Sequence, residues 1–195
     1  MARTKEFDEK NVLEKAMNLF WTKGFSGTSA QNLVNGLGIS RSSLYDTFGD
    51  KHLLFIKSLE YYRENMAGKL IRMINESTDI EDTVRWIFQT IVNESLSDKL
   101  SKGCFMVNST VELAPNDAQI SAIIDANTQD IEDSFYRIIK KGQQLGTIPE
   151  GSSARSLSRF LFNTITGLRV LAKTKRMNRE VFDDVVSIAI SVLKK

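Results

Sequence analysis

The chain has 195 residues, 42% of them apolar and 26% charged, with a net charge of +2. This composition is typical of a globular protein and excludes disordered and fibrous classes. No apolar run reaches the roughly 20 residues that span a bilayer, and the N-terminal segment lacks the apolar core of a signal peptide. We therefore expect a cytoplasmic protein with no membrane partner. One cysteine and one histidine argue against a disulfide framework, a metal site or a cofactor that needs such ligands.

The first 50 residues predict three short helices. Apolar residues recur at helical spacing with no period-2 stretch, which predicts an all-α fold. The first helix ends at Gly24. Thr28, with Gln31 three residues on, has the form of a capping box, and Gly38 ends the second helix. Ser40 is the predicted N-cap of a third helix of about two turns.

The rest of the chain also reads as helices. Asp50 caps a long helix that the segment STD at 77–79 ends. Five more helices follow. They are predicted at Val84–Leu96, at Gly103–Leu113, at Ala118–Leu145, and on either side of the segment KRMN at 175–178. We place the boundary between a small front domain, residues 1–52, and a larger back domain, residues 53–195, at the start of the long helix.

The second and third helices, joined by a tight glycine turn, form a helix-turn-helix pattern, whose second helix enters the DNA major groove. Arg41 can donate two hydrogen bonds to a guanine edge, and small serines beside it allow close approach. Tyr45 and Lys51 suit phosphate oxygens, and the start of the second helix favours a phosphate through its free amides. The predicted DNA contacts are Thr28, Ser29, Ser40, Arg41, Ser42, Ser43, Tyr45 and Lys51.

Two alternatives stay open for these polar residues. Arg41 and the serines either read DNA or form an ordinary solvated helix face. Arg3 and Lys5 either enter an adjacent minor groove as an N-terminal arm or are disordered.

A series of short motifs runs along the front domain. It consists of Gly24-Phe25, Thr28-Ser29, Gly38-Ile39-Ser40, Leu44-Tyr45, Phe48 and Lys51. With these motifs the run from Val12 to Phe55 resembles the TetR family of bacterial transcriptional repressors. The chain departs from the family pattern at Ser42, where the family often has glycine, and at Asp46 and Thr47, where it often has tyrosine or histidine.

The resemblance implies an all-helical homodimer with an N-terminal helix-turn-helix DNA-binding domain and a C-terminal ligand-binding and dimerisation domain. It further implies that a small-molecule effector releases the protein from double-stranded operator DNA. One such DNA-binding domain reads one half-site, and a dimer places two of them about 34 Å apart along the duplex. We expect the last two helices to form the contact through a broad apolar stripe. The predicted interface residues are Phe160, Leu161, Ile165, Val181, Val185, Ile188 and Val192.

We expect the effector site around the segment KGCFMVNSTVELAP at 102–115. Asn108 and Glu112 are four residues apart on one helix face, and Cys104 precedes Asn108 by one turn. Ligand pockets are mostly apolar with a few placed polar groups. The predicted effector residues are Trp86, Gln89, Cys104, Asn108, Glu112, Phe135 and Asn163.

Cys104 has two readings. Its place after a glycine and before a helix resembles a branch of the family in which a cysteine answers electrophiles or oxidants. A helix N-terminus favours the thiolate that such chemistry needs. A lone cysteine is otherwise most often a small buried hydrophobe.

The sequence gives less support to two other classes of function. An enzyme using Glu112 as a base near Cys104 would need an orienting partner, usually histidine, and His52 lies in the front domain. We therefore expect no enzymatic activity. A helical protein-interaction module would show no salt-sensitive duplex binding, whereas the DNA affinity of a regulator falls steeply as salt rises.

Overall fold

The structure is a computed structural model that describes residues 7–174 and 178–194, so Arg3 and Lys5 lie outside the described residues. Ten α-helices and no strand occur in this part of the chain, which confirms the all-α prediction. The helices are α1 Glu9–Lys23, α2 Ala30–Leu37, α3 Arg41–Phe48, α4 Lys51–Tyr62, α5 Gly68–Glu76, α6 Ile80–Ser97, α7 Phe105–Glu112, α8 Ala118–Gln144, α9 Ala154–Leu171 and α10 Arg179–Ser191. A π-helical turn, Arg63–Ala67, joins α4 to α5, and a 3-10 turn, Ala114–Asn116, lies between α7 and α8.

Most helix ends fall where their capping residues predict. Gly24 ends α1, Ser40 accepts a hydrogen bond as N-cap of α3, and Asp50 does the same for α4. The capping box of α2 lies one residue later than predicted. It joins Ser29 to Asn32 instead of Thr28 to Gln31. The reason is that the Thr28 side chain is buried and turned back toward α1.

The front domain has the core that the sequence predicts. Leu44 and Phe48 of α3 are buried with three residues of α1 and α2, in what we call the front cluster. These three residues are Phe20, Leu33 and Leu37. The front cluster also takes in Phe105 and Met106 of α7 and the first turns of α8. Residues on both sides of the predicted boundary at 52 and 53 share this cluster, so α2 and α3 pack in one core with α7 and the start of α8.

A second, rear cluster fills the space between α5, α6, α8, α9 and α10. It corrects two interface predictions, because Leu161 and Ile165 point into it and are only 0% and 5% exposed. The α9 helix carries apolar residues on two faces, and these two belong to the inner face. The other predicted interface residues lie outward or at the margin. Phe160, Val181 and Ile188 are exposed, and Val185 and Val192 are half-buried.

Within the described ranges, none of the helices combines the length and apolar character needed to cross a membrane.

Candidate nucleic-acid interface

The turn between α2 and α3 is fixed by backbone and side-chain geometry. Gly38 adopts a left-handed conformation with φ of 71°, which costs glycine little. The Ser40 hydroxyl accepts a hydrogen bond from the Ser43 amide at 3.1 Å. It also lies 3.0 Å from the Ser42 hydroxyl and 2.9 Å from the Ser43 hydroxyl. The first turn of α3 is therefore held in place by its own serines.

The outer face of α3, which we call the reading face, carries Arg41, Ser42, Ser43 and Tyr45. Arg41 and Ser42 are exposed, and Ser43 and Tyr45 are half-buried. The Arg41 guanidinium carbon lies 5.8 Å from the centre of the Tyr45 ring, one helical turn away. This cation–π contact orients the arginine without using its hydrogen-bond donors. A short helix that is anchored on one side and polar on the other can enter a major groove.

The start of α2 is the second element that the sequence predicts to contact DNA. Ser29 is exposed and its hydroxyl accepts from the Asn32 amide at 3.1 Å. The Asn32 side chain returns the contact by accepting from the Ser29 amide at 3.0 Å. The first amides of a helix have no partner within the helix, so they remain suited to a phosphate.

The structure corrects one of the predicted DNA contacts, Thr28, and shows that another, Lys51, makes contacts within the protein. Thr28 is fully buried and its hydroxyl donates to the Gly24 carbonyl at 2.6 Å, so its side chain cannot reach DNA. The Lys51 ammonium donates to the carbonyls of Phe25 and Thr28 at 2.9 and 3.0 Å. It also lies 4.0 Å from the centre of the Phe25 ring. Lys51 therefore holds the loop between α1 and α2, a role that its position in the motif does not reveal.

The predicted effector residues do not meet in one cavity. Gln89 and Asn163 are exposed, and Phe135 is fully buried in the rear cluster. Trp86 is 52% exposed and lines an open groove of about 630 Å³ between α5 and α6, beside Met73. Helical spacing within α6, α8 and α9 does not show which of these side chains is exposed and which is buried.

Cys104 and Asn108 do lie together, at the start of α7. The Cys104 sulfur is half-buried and 3.6 Å from the Tyr62 hydroxyl oxygen. The Asn108 side chain donates to the Lys102 carbonyl at 2.8 Å and accepts from the Lys173 ammonium at 3.0 Å. We call this place, where α1, α4, α7 and α9 meet, the thiol junction.

Charge and burial at the thiol junction act on two ionisable groups. Burial raises the pKa of Tyr62 well above its usual value, and a negative charge on Cys104 raises it further. Burial alone would lower the pKa of Arg169. The negative charges of Cys104 and Tyr62 reverse this effect, so its pKa is raised. The Arg169 guanidinium therefore lies close enough to Cys104 and Tyr62 for their charges to act on it.

Glu112 does not belong to this junction. It lies at the other end of α7, where its carboxylate accepts the amides of Phe25 and Ser26 at 3.0 and 2.8 Å. Burial raises its pKa, but the hydrogen bonds from Ser26 and Phe25 lower it more, and the net shift is downward. Helical spacing places Asn108 and Glu112 on one face correctly, but it cannot show which distant residues each of them meets.

Sequence reasoning also missed contacts that join the front and back domains. The Trp21 indole donates to the Gly103 carbonyl at 3.1 Å, and the Lys102 ammonium lies 4.2 Å from the centre of its ring. His52 and Asp117, the N-cap of α8, are joined by a 2.5 Å contact between ring nitrogen and carboxylate oxygen.

Two family models match parts of this chain. Residues 12–57 match the family model of bacterial regulatory proteins of the tetR family. Residues 81–183 match the model of the tetracyclin repressor-like C-terminal domain. Together the two matches cover α2 and α3 and most of residues 53–195.

Relatives and solved structures agree with these matches. An uncharacterised HTH-type transcriptional regulator of Bacillus subtilis strain 168, YezE, is 33% identical over 99% of this chain and 100% of its own length. The HTH-type transcriptional repressor ComR of Escherichia coli strain K12 is 30% identical over 88% of this chain and 82% of its own. A cysteine mutant of the TetR family regulator CifR, complexed with 26 bp operator DNA, is 25% identical with a TM-score of 0.84 over 97% of this chain and 98% of that one. The chain therefore belongs to the TetR family of bacterial regulatory proteins and is a DNA-binding transcriptional regulator, not an enzyme.

Proposed function

We propose that this protein is a homodimeric repressor that a small-molecule effector releases from a palindromic operator. The observation that carries the DNA-binding part is the reading face of α3. Its arginine and serines are exposed, while Leu44 and Phe48 anchor the helix in the front cluster. Arginine in such a position reads guanine through two parallel hydrogen bonds.

Selection of bound sequences from a random pool of duplexes tests this proposal. We expect an inverted repeat whose half-site centres are about 34 Å apart, or 10 to 10.5 base pairs, because two heads related by a two-fold axis read it. Binding must weaken steeply with added salt. A pool that is not enriched at low ionic strength would contradict the proposal.

The outer faces of α9 and α10 support the dimer. Val181 and Ile188 are exposed apolar residues of α10, and half-buried Val185 and Val192 belong to the same stripe of that helix. Phe160 is an exposed apolar residue of α9. Exposed apolar residues in one stripe are typical of a surface that a partner covers. Two such helix pairs, one from each subunit, make a four-helix contact.

Molar mass in solution tests the dimer directly. Ile188 is 66% exposed and Leu100, on the segment before α7, is 67% exposed, so the two make a matched pair. We expect Ile188→Glu to give a monomer by light scattering and Leu100→Glu to remain a dimer. A dimeric Ile188→Glu protein would contradict the assignment of this surface.

For the effector, the thiol junction supports an electrophile. Cys104 is half-buried, so a small molecule reaches its sulfur, and it is the N-cap residue of α7, beside the positive end of the helix dipole. The Arg169 guanidinium adds a positive charge nearby. In the proposed step the thiolate sulfur bonds to the β-carbon of an unsaturated carbonyl compound. The π electron pair moves to the α-carbon, which then takes a proton from water.

N-ethylmaleimide is a probe for this step, since the chain has one cysteine. We expect one adduct by mass spectrometry and a loss of operator affinity of roughly 5- to 150-fold, the usual range for coupling between sites. Cys104→Ser is the matched control, which we expect to bind the operator and to ignore the reagent. Unchanged affinity of the fully modified wild-type protein would contradict the proposal.

A further inference from the structure

The loop between α1 and α2, residues 24–28, is held from two sides by two distant side chains. From the back domain, the Glu112 carboxylate accepts the Phe25 amide at 3.0 Å and the Ser26 amide at 2.8 Å. From α4, the Lys51 ammonium donates to the carbonyls of Phe25 and Thr28. The amides of the loop thus meet a negative group and its carbonyls a positive one.

The close approach of Glu112 depends on a glycine. Gly24 has φ of +75°, and a Cβ atom at this position would lie 2.8 Å from the nearer Glu112 carboxylate oxygen. That separation is shorter than real Cβ contacts allow. The backbone of the loop is therefore shaped to admit this carboxylate.

The Glu112 carboxylate is charged at neutral pH. Burial raises its pKa, but the hydrogen bonds from the Ser26 and Phe25 backbone lower it more, and the charge of Lys51 lowers it further. Hydrogen bonds to an ionised acceptor are about twice as strong as those between neutral groups. The two contacts are thus among the stronger ones that cross between the two domains.

This contact lies directly before α2 and α3 in the sequence. The loop leads into Ser29, the N-cap of α2, and α2 leads through a tight turn into the reading face of α3. Glu112 is the last residue of α7, and α7 is packed into the front cluster through Phe105 and Met106. The position of α7 therefore sets the position of the loop.

We propose that Glu112 is a positioning residue for operator recognition, which holds the loop at 24–28 and so fixes the angle at which α2 and α3 meet DNA. This inference rests on the proposed DNA-binding function and adds a residue far from the DNA surface. Cys104 is at the opposite end of the same eight-residue helix, about 12 Å away along its axis. A displacement of α7 at the thiol junction would reach the loop through Glu112.

The experiment uses the full chain with Glu112→Gln, Glu112→Ala and the control Glu150→Gln. Glu150 is exposed in the segment between α8 and α9, so its variant removes one charge without touching the loop. Three quantities are measured: the affinity for the selected operator, the thermal midpoint, and hydrogen exchange of the amides at 25 and 26. Hydrogen exchange reports the contact whether or not DNA is present.

We expect Glu112→Ala to speed exchange at residues 25 and 26 and to weaken operator binding about tenfold, within the range for coupled sites. Glu112→Gln keeps one acceptor and should show a smaller loss, and Glu150→Gln should match the wild type. Faster exchange with unchanged operator affinity in a folded Glu112→Ala protein would overturn the positioning role. Unchanged exchange would overturn the contact itself. If the wild-type protein selects no duplex, the proposed function fails, and the exchange measurement still decides the contact.

Discussion

Lys51→Met separates a structural role of this lysine from a DNA contact. In the structure its ammonium donates to two carbonyls and lies over the Phe25 ring. Hydrogen bonds that involve a charged group contribute about 1.5 to 3 kcal/mol each. The lower value applies here because Lys51 is half-buried. The cation–π contact adds about 0.5 to 1 kcal/mol. Methionine keeps the apolar stem, so we expect a loss of about 3.5 to 4 kcal/mol in the free energy of unfolding.

Thermal unfolding followed by far-UV circular dichroism measures this loss. For a chain of this size 1 kcal/mol corresponds to about 2 to 4 °C, so the thermal midpoint should fall by about 7 to 16 °C. Lys140→Met is the control, because Lys140 is exposed on α8. It should leave the midpoint unchanged.

The salt dependence of operator binding gives the second half of the test. A lysine that contacts phosphate contributes about 0.9 to the slope of log affinity against log salt. We expect folded Lys51→Met protein to keep the wild-type slope. A midpoint equal to that of the wild type, together with a slope lower by about 0.9 per subunit, would refute the structural role and return Lys51 to the DNA contacts.

Three further predictions concern the reading face, the loop contact and the rear cluster. Arg41→Ala should cost about 1 to 3 kcal/mol on the selected operator and relax one base preference, and equal loss on random duplexes in a titration would limit Arg41 to phosphate. Because the pKa of Glu112 lies below its unfolded value of 4.5, the stability from this contact is present above that pH and is lost as pH falls through the folded pKa. Urea titrations should therefore show the wild type losing more stability than Glu112→Gln on acidification below about pH 4.5, and parallel losses would contradict the shift. Leu161→Ala should lower the free energy of unfolding by about 2 to 5 kcal/mol without changing the molar mass, whereas a monomer of normal stability would put Leu161 back in the dimer interface.

Local signals predicted the helices well because helix ends depend on residues next to them. Ser40, Asp50 and Gly38 cap their helices by contacts within four residues, which the sequence displays directly. At α2 two neighbouring residues, Thr28 and Ser29, each had a polar partner three positions on. Burial of Thr28 in the fold decides which of the two residues caps α2. A capping pattern carries no information about burial.

The candidate sites were harder to predict because they depend on which helix faces meet. Leu161 belongs to an apolar stripe, but periodicity does not show whether a stripe packs within one chain or against a second copy. Glu112 contacts residues 86 and 87 positions away in sequence. Such a pairing has no local signature, so the sequence placed Glu112 in an effector pocket.

The central claim is that α3 reads base edges in the major groove through Arg41. It is tested most directly by measuring affinity for the selected operator with 7-deazaguanine replacing one guanine at a time, since this base lacks the N7 acceptor that arginine uses. The account predicts that the wild-type protein loses affinity at one guanine in each half-site and that Arg41→Ala protein is insensitive to replacement at that same guanine. If wild-type and Arg41→Ala proteins lose the same affinity at every guanine, Arg41 does not read that base and the account is contradicted.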